Sequence, residues 1–540
     1  MSGVLRLLRA QARRDRWLLL IWIAGIWLLT VGSASAASKE FGTPEQSTSL
    51  VKLATQNPAI LAIRGVPNGV DLGAVLFFEL FAFLAVMAAL MTTFMVVRHT
   101  RADEELGRSE LVGSTPVPRS ATLVASLLLA FAANLLVAVA VAVGYLMAAT
   151  KPDGAIVAGL AAGAVGLSFA GIAAVAAQLT QTSRAANSIA GAAIALAFAL
   201  RAIGDATGTP NTDGLSVTSA WPSWLSPIGW GQQTFAFSEN RLAPLLLCLG
   251  LFAGLAGLAL WIRARRDLGA SLLAERDGKE RAGRTLRSSF GLAWRLQRTT
   301  MLAWAVGGAF MGLFAGSLGS VVANAAQGNE SLTGAVRSIV PGSAAGDLQD
   351  IFIAAMLAFV GFLAAGAGIQ AMMRMRSEET GGRAEPVFAT PVDRGVWLLH
   401  YLAVAVISVV VITMSSGLLA GLFLLAGGST GHAFWGAVSA GLAQIPAALL
   451  YVGLGAIIFA VVPRLTIGLG WTLLGLGLVI GQFGGLLQFP DWVRDASPFS
   501  HTPAVPVVTF DWSAGLILTG IGAVLALTAF FIFRRRNLVL

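Results

Sequence analysis

The stretch Arg101–Arg119, RADEELGRSELVGSTPVPR, interrupts a 540-residue chain that is 56% hydrophobic, and it returns as RSEETGGRAEPVFATPVDR at Arg376–Arg394. Sliding the chain along itself by 275 residues pairs the two stretches without a gap, and ten of the nineteen positions are then identical. The matches are Arg101/Arg376, Glu104/Glu379, Gly107/Gly382, Arg108/Arg383, Glu110/Glu385, Val112/Val387, Thr115/Thr390, Pro116/Pro391, Val117/Val392 and Arg119/Arg394, with Asp103 opposite Glu378. Fainter echoes keep a similar offset: Arg16 and Trp22 return as Arg298 and Trp304, Ser226-Pro227 as Ser497-Pro498, and WIRARRDL ending at Leu268 as FIFRRRNL ending at Leu538. The chain reads as two related units in tandem.

With 12% charged residues and a mean hydropathy of +0.77, the composition lies outside the soluble range. A bilayer core ~30 Å thick takes about 20 mostly apolar residues per helix. Runs of that length occur at 17–37, 73–97, 120–149, 155–179, 184–204, 242–264, 300–323, 350–373, 395–426, 432–462, 465–487 and 513–534. They predict an all-α integral membrane protein of about twelve transmembrane helices in two six-helix halves, 1–264 and 299–540, joined by a basic linker over 265–298. An even number of helices per half gives both copies the same orientation, related by an axis along the membrane normal. The arginines at 6, 9, 13, 14 and 16 and the string SASAAS imitate a signal peptide, but the run from Trp17 to Ala37 is too long for one and reads as a retained span.

Positively charged loops stay cytoplasmic. With the amino terminus inside, cytoplasmic segments hold 28 of the 36 Lys and Arg residues, which predicts a multi-pass plasma-membrane protein with both termini cytoplasmic. The net charge of +9 matches anionic lipid headgroups rather than nucleic acid. The one cysteine, Cys248, excludes an intrachain disulfide and a cysteine metal cluster. No GxxxxGK[ST] loop, HExxH helix or GxSxG elbow occurs, and His99, His400, His432 and His501 are scattered, so the chain has no ATP-binding motif and no enzyme signature of its own.

Two transporter readings follow. DEELGR bears a superficial likeness to the Gly-Arg motif between the second and third helices of proton-coupled carriers of the major facilitator type, which also have two six-helix halves. The loop here is longer and acidic, lacks that motif's Asp-Arg pair and second basic residue, and ends in Thr-Pro-Val. It more closely resembles the first cytoplasmic loop of ABC-2 type ABC exporter permeases, E-[ER]-x-G-x-x-E, a hydrophobic pair and T-P-[VL]-x-R. The first copy supplies Glu104, Glu105, Gly107, Glu110, Leu111, Val112, Thr115, Pro116, Val117 and Arg119; the second supplies Glu379, Gly382, Glu385, Val387, Thr390, Pro391, Val392 and Arg394, and departs at Thr380 and Pro386. The fused twelve-helix form is similar to permeases of actinobacterial polyketide-antibiotic (tetronasin-like) and multidrug exporters.

That resemblance implies export of hydrophobic or amphipathic compounds, energised by a separate ABC ATPase in two copies that carries the ATP and magnesium. It also implies that MSGVLRLLRAQARRDR forms an elbow helix on the inner leaflet. Acidic residues near a helix start and prolines that redirect the chain suit a short coupling helix. The coupling candidates are Glu104, Glu105, Gly107, Arg108, Glu110, Pro116 and Arg119, with Glu379, Gly382, Arg383, Glu385, Pro391 and Arg394 in the second copy.

Ionisable residues inside spans are costly, which singles out Glu79 in VLFFELFAFLAVM. The resemblance places the second and fifth helices of each half around a central cavity. The substrate candidates there are Phe78, Glu79, Phe81, Phe352, Phe359, Phe362, Gln482 and Phe483, an aromatic lining suited to amphipathic molecules. The segment 205–241, with Trp221, Trp224 and Trp230, reads as short interfacial or re-entrant helices between the fifth and sixth spans of the first half, and 489–501 as its equivalent in the second.

Overall fold

The computed structural model describes residues 2–40, 44–267, 269–272, 282–326, 347–483, 489–508 and 512–536. Among the described residues it is all-helical apart from one two-stranded hairpin, and twelve helices there are long and apolar enough to cross a membrane. These are α1 Gly3–Ser35, α2 Leu72–Glu105, α3 Ala121–Met147, α4 Pro152–Leu179, α5 Ser183–Ala206, α6 Ala243–Arg265, α7 Ser289–Gly319, α8 Leu348–Thr380, α9 Arg394–Ala426, α10 Gly431–Val461, α11 Pro463–Gln482 and α12 Trp512–Arg535. The chain divides into two compact units, Met1–Asp277 and Gly278–Leu540, each with six of these helices. Part of the stretch assigned to the linker, 273–281, lies outside the described residues.

The amino-terminal segment corrects one expectation. Residues from Ser2 onward run without a break into the first span, in a single helix Ser2–Glu40, so no separate elbow forms. No proline or glycine stands between Val4 and Ile23 to stop helix propagation.

In unit 1 the Ala- and Gly-rich α4 sits in the core against α2, α3 and α6. Gly159 and Gly163 let two backbones touch: an added Cβ would lie 2.2 Å from the Ala138 carbonyl oxygen and 2.7 Å from that of Asn134. Without a hydrophobic driving force between helices in lipid, such close approach supplies the packing. Asn134 adds an interhelical bond, donating from Nδ2 to Thr92 Oγ1 at 2.9 Å. Unit 2 uses the same device elsewhere. Gly312 and Gly316 of α7 meet α9 so closely that an added Cβ would fall 2.0 Å from the Ser416 oxygen and 2.2 Å from that of Ala420. Here α10 breaks between Leu442 and Ile445, ahead of Pro446.

Opposite the repeated loop, unit 1 carries a cap. Its parts are the helices Pro44–Thr55 and Pro58–Arg64, the hairpin β1 Thr209–Pro210 and β2 Val217–Thr218, a 3-10 turn Trp221–Leu225 and a helix Pro227–Gln232. The short helices in 205–241 match the expectation for that segment; the hairpin was not anticipated. Arg201 and Asp205 of α5, both fully buried, hold the cap down. Arg201 donates to Asp205 at 3.3 Å and to the Ala62 and Ile63 carbonyls at 2.8 and 3.2 Å, while Asp205 accepts from Ser219 at 2.7 Å and Gln232 at 2.9 Å.

Removing one partner of a buried pair leaves an uncompensated charge, at about 3–5 kcal/mol. Arg201→Ala is expected to lower the melting temperature of the detergent-purified protein sharply, and Arg201→Met with Asp205→Leu to recover most of the loss. A double variant no more stable than the single one would show that the pair does not hold the cap.

Candidate functional site

The repeated loop builds the same backbone twice. In the first copy Gly107 takes φ +71° and in the second Gly382 takes φ +66°, a left-handed conformation that glycine adopts without strain. A short helix follows each glycine, Arg108–Gly113 and Glu385–Phe388. Thr115 Oγ1 donates to the Val112 carbonyl and Thr390 Oγ1 to that of Val387, and the amides of Val117 and Val392 each donate to the threonine carbonyl two residues back at 2.7 Å. Arg108 reaches back across the turn to Asp103 at 3.0 Å, as Arg383 does to Glu378 at 2.9 Å. Most of the ten identities therefore encode one tertiary motif.

Its anchor is a buried carboxylate. Glu104, with 7% of its side chain exposed, receives Arg266 on both oxygens at 2.7 and 2.8 Å, Arg101 at 2.7 Å and Arg263 at 3.1 Å. Arg101 also donates to the backbone carbonyls of Thr180 and Ala270. Glu379, with 1% exposed, receives Arg536 on both oxygens at 2.7 and 2.8 Å, and Arg376 lies 3.7 Å away. In each case one guanidinium nitrogen, Nη2, is shared between the two carboxylate oxygens, a charge-assisted contact stronger than a neutral hydrogen bond. Arg266 and Arg536 are the same position of the WIRARRDL/FIFRRRNL echo, so in each half the loop clamps the end of the sixth helix. Burial draws the Arg536 guanidinium below its ordinary range and Glu379 opposes that shift.

Glu104 and Glu379 thus face inward, each holding the loop to its own unit. Glu105 caps α5, accepting from the Ser183 amide at 2.9 Å and hydroxyl at 2.7 Å. Its counterpart Thr380 bonds its own helix at the Arg376 carbonyl. Arg119 offers its backbone oxygen to Arg263 at 3.3 Å, and Arg394 donates to the carbonyl of Arg536. Glu110, Pro116, Glu385 and Pro391 are exposed, and Leu111, 74% exposed, stands beside Glu110.

A second buried cluster escaped sequence reading. α2 ends in a π-helical turn, Arg98–Ala102, a deformation often found at functional sites. That turn presents His99 to Asp15 of α1, Nε2 to Oδ2 at 2.7 Å, with both side chains fully buried and Arg98 at 3.1 Å from the other oxygen. Asp103 receives Arg14 at 2.8 Å beside it. The sequence signal was one acid inside the basic run RRDR, which the overall charge masks. In the register that pairs Arg16 with Arg298, Gln297 replaces Asp15.

The substrate candidates are placed less openly than expected. Phe78 and Phe81 are 3% and 2% exposed, packed into the core of unit 1, with Phe81 4.7 Å from Phe77 between ring centres. Glu79 forms an ion pair with Arg64 of the cap. In unit 2, Phe362 is buried with its ring 3.7 Å from that of Phe499, which stacks on Tyr451 at 5.4 Å. Phe352, Phe359 and Gln482 are half-buried, and the Phe483 side chain lies outside the described part.

Glu104→Ala would strand three arginines, again a cost of about 3–5 kcal/mol. It is expected to speed tryptic cleavage around Arg263–Arg266, and Glu379→Ala to do so around Arg534–Arg536. Cleavage at the wild-type rate in both variants would show that the carboxylates do not hold the sixth helices.

The sequence resembles a known protein over nearly its whole length. A family model described as the C-terminal domain of the multidrug efflux system permease Rv1217c matches residues 286–534, almost all of unit 2. The chain is 37% identical over 544 residues to the multidrug efflux system permease protein Rv1217c of Mycobacterium tuberculosis, covering 99% of this chain and 95% of that protein. A multi-pass helical chain with this extent of identity belongs to the Rv1217c family of efflux-system permeases.

Proposed function

We propose that this chain is the membrane subunit of an ATP-driven ABC exporter for hydrophobic or amphipathic compounds, including drugs or polyketide antibiotics. Both termini and both repeated loops face the cytoplasm, where two copies of a separate ATPase, which bind the ATP and magnesium, dock on the loops. The observation that carries this reading is the loop motif itself. The same left-handed glycine, threonine bond and arginine brace occur twice, each copy fastened by a buried carboxylate to a sixth helix. A loop needs no such anchorage merely to connect two helices; one that transmits force does.

The residues divide the work. Glu104, Arg101, Glu379 and Arg376 fasten the loop, and Arg108 and Arg383 brace the turn. Glu110 with Leu111 in one copy, and Glu385 with Pro386 in the other, form the exposed face that meets the motor. The name of the mycobacterial relative supports a drug-like cargo, and the apolar helices leave few polar groups to select a particular one. The buried Asp15–His99 pair favours one alternative, a proton-coupled carrier of the major facilitator type working alone. Export from vesicles that needs ATP and the partner ATPase, and survives collapse of the proton gradient, separates the two.

Charge reversal at the exposed face tests the coupling. Glu110→Lys with Glu385→Lys is expected to leave the melting temperature unchanged and to weaken ATPase association about tenfold, ~1.4 kcal/mol, with a parallel loss of export. Full export by this double variant would reject the coupling face.

A further inference from the structure

The helix Ser2–Glu40 carries a second design on the side away from the loop. Arg14 pairs with Asp103, but Arg9, Arg13 and Arg16 are exposed and have no carboxylate partner among the described residues. Spaced four and three apart, they share one helix face with Leu20, Ile23 and Trp27. A groove of about 460 Å³ opens along that face, lined by Arg16, Leu20, Ile23, Ala24 and Trp27 of α1 and by Leu136 and Ala140 of α3. Arg16 is the polar end; every other lining group is apolar.

Its dimensions decide what fits. From Arg16 to Trp27 the helix rises ~16 Å at about 1.5 Å per residue, close to half of the ~30 Å hydrocarbon core. The groove therefore reaches from one interface to the bilayer midplane. Trp17, 65% exposed and next to Arg16, marks the interface level. A drug pocket needs a few placed polar groups to fix orientation, and this groove has none between its ends. An acyl chain needs none, and an anionic headgroup finds the arginine face directly above the apolar slot.

We propose that the groove between α1 and α3 holds one acyl chain of an anionic phospholipid from the leaflet on the side of the repeated loops, with its phosphate on Arg16 and Arg13. The α1 helix is then bound to the membrane by a specific lipid as well as by bulk solvation. The assignment to that leaflet is internal to the structure, because α1 and α3 run parallel: Gln11 bonds Ser126 at 3.2 Å near their loop-side ends, and Gly144 meets Thr30 at the other.

The test is native mass spectrometry of the delipidated full-length chain, titrated with dioleoyl-phosphatidylglycerol or dioleoyl-phosphatidylcholine. The wild type is expected to bind one phosphatidylglycerol more tightly than any phosphatidylcholine. Arg16→Gln is expected to weaken that binding about fivefold, what one basic residue contributes beside an anionic surface, while Arg265→Gln, an exposed arginine on α6, leaves it unchanged. Ala24→Trp, which fills the groove and leaves the arginines in place, is expected to remove the tight site. Equal affinity for the two lipids, equal losses in the two arginine variants, or a tight site that survives Ala24→Trp would each overturn the proposal. So would displacement of the lipid by an exported drug, which would make the groove a substrate path instead.

Discussion

A carboxylate closed between arginines at one end of each unit is the contact on which the rest of the arrangement depends. Charges taken out of water are costly unless their geometry and hydrogen bonds are nearly complete, and both oxygens of Glu104 and of Glu379 accept from one nitrogen, Nη2, of Arg266 and of Arg536. One side chain thereby joins the end of the second helix of a half, the loop that follows it, and the end of its sixth helix. Hydrophobic matching could not make that join, since helices in lipid gain little from burying one apolar face rather than another. The clamp is a register device: it specifies which helix ends meet.

The two units solve the same electrostatic problem with different neighbours. Arg263 stands beside Glu104, and at the same position of the echo unit 2 has Phe533. There Arg536 lies over the rings of Phe459 and Phe533, at 5.0 and 5.1 Å, so aromatic faces take part of the stabilising role. Glu105 ties the first loop to α5, and Thr380 makes no equivalent tie. The likeness of the loops is therefore in their backbone and their anchors, and the unlikeness is in what each is fastened to.

Much of this was legible in the sequence because bilayer thickness translates directly into run length, and all twelve helices follow from it. The duplication was legible because ten identities share one register. Which identities anchor and which project was not, since a residue type states its charge and not its direction; only the paired recurrence of Arg266 and Arg536 with Glu104 and Glu379 held that information. The elbow was misjudged because Val4, Leu5, Leu7 and Leu8 against Arg6, Arg9, Arg13 and Arg14 have the period of any amphipathic helix, bent or straight. Phe78 and Phe81 were beyond reach for the opposite reason. α2 is apolar nearly all round, so no periodicity tells its core side from an open one.

The far ends of the units differ more than the loop ends. Arg201 and Asp205 fasten the cap of unit 1 through a network in which Ser219, Gln232 and three backbone carbonyls of the cap take part. The register that aligns Ser226-Pro227 with Ser497-Pro498 places Thr472 and Leu476 at those two positions in α11, so that ion pair has no counterpart there. In unit 1, α5 is consequently held at both ends, by Glu105 on Ser183 and by the cap on Arg201, and a displacement of its loop would have to carry α5 and the cap along. In unit 2 neither tie is present at the matching residues. Under the proposed function, two motors pushing on loops of the same backbone would meet one half whose fifth helix is fastened by Glu105 and an ion pair, and one whose fifth helix is joined to the following segment by the Ser497 hydroxyl on the Gly477 carbonyl at 2.9 Å.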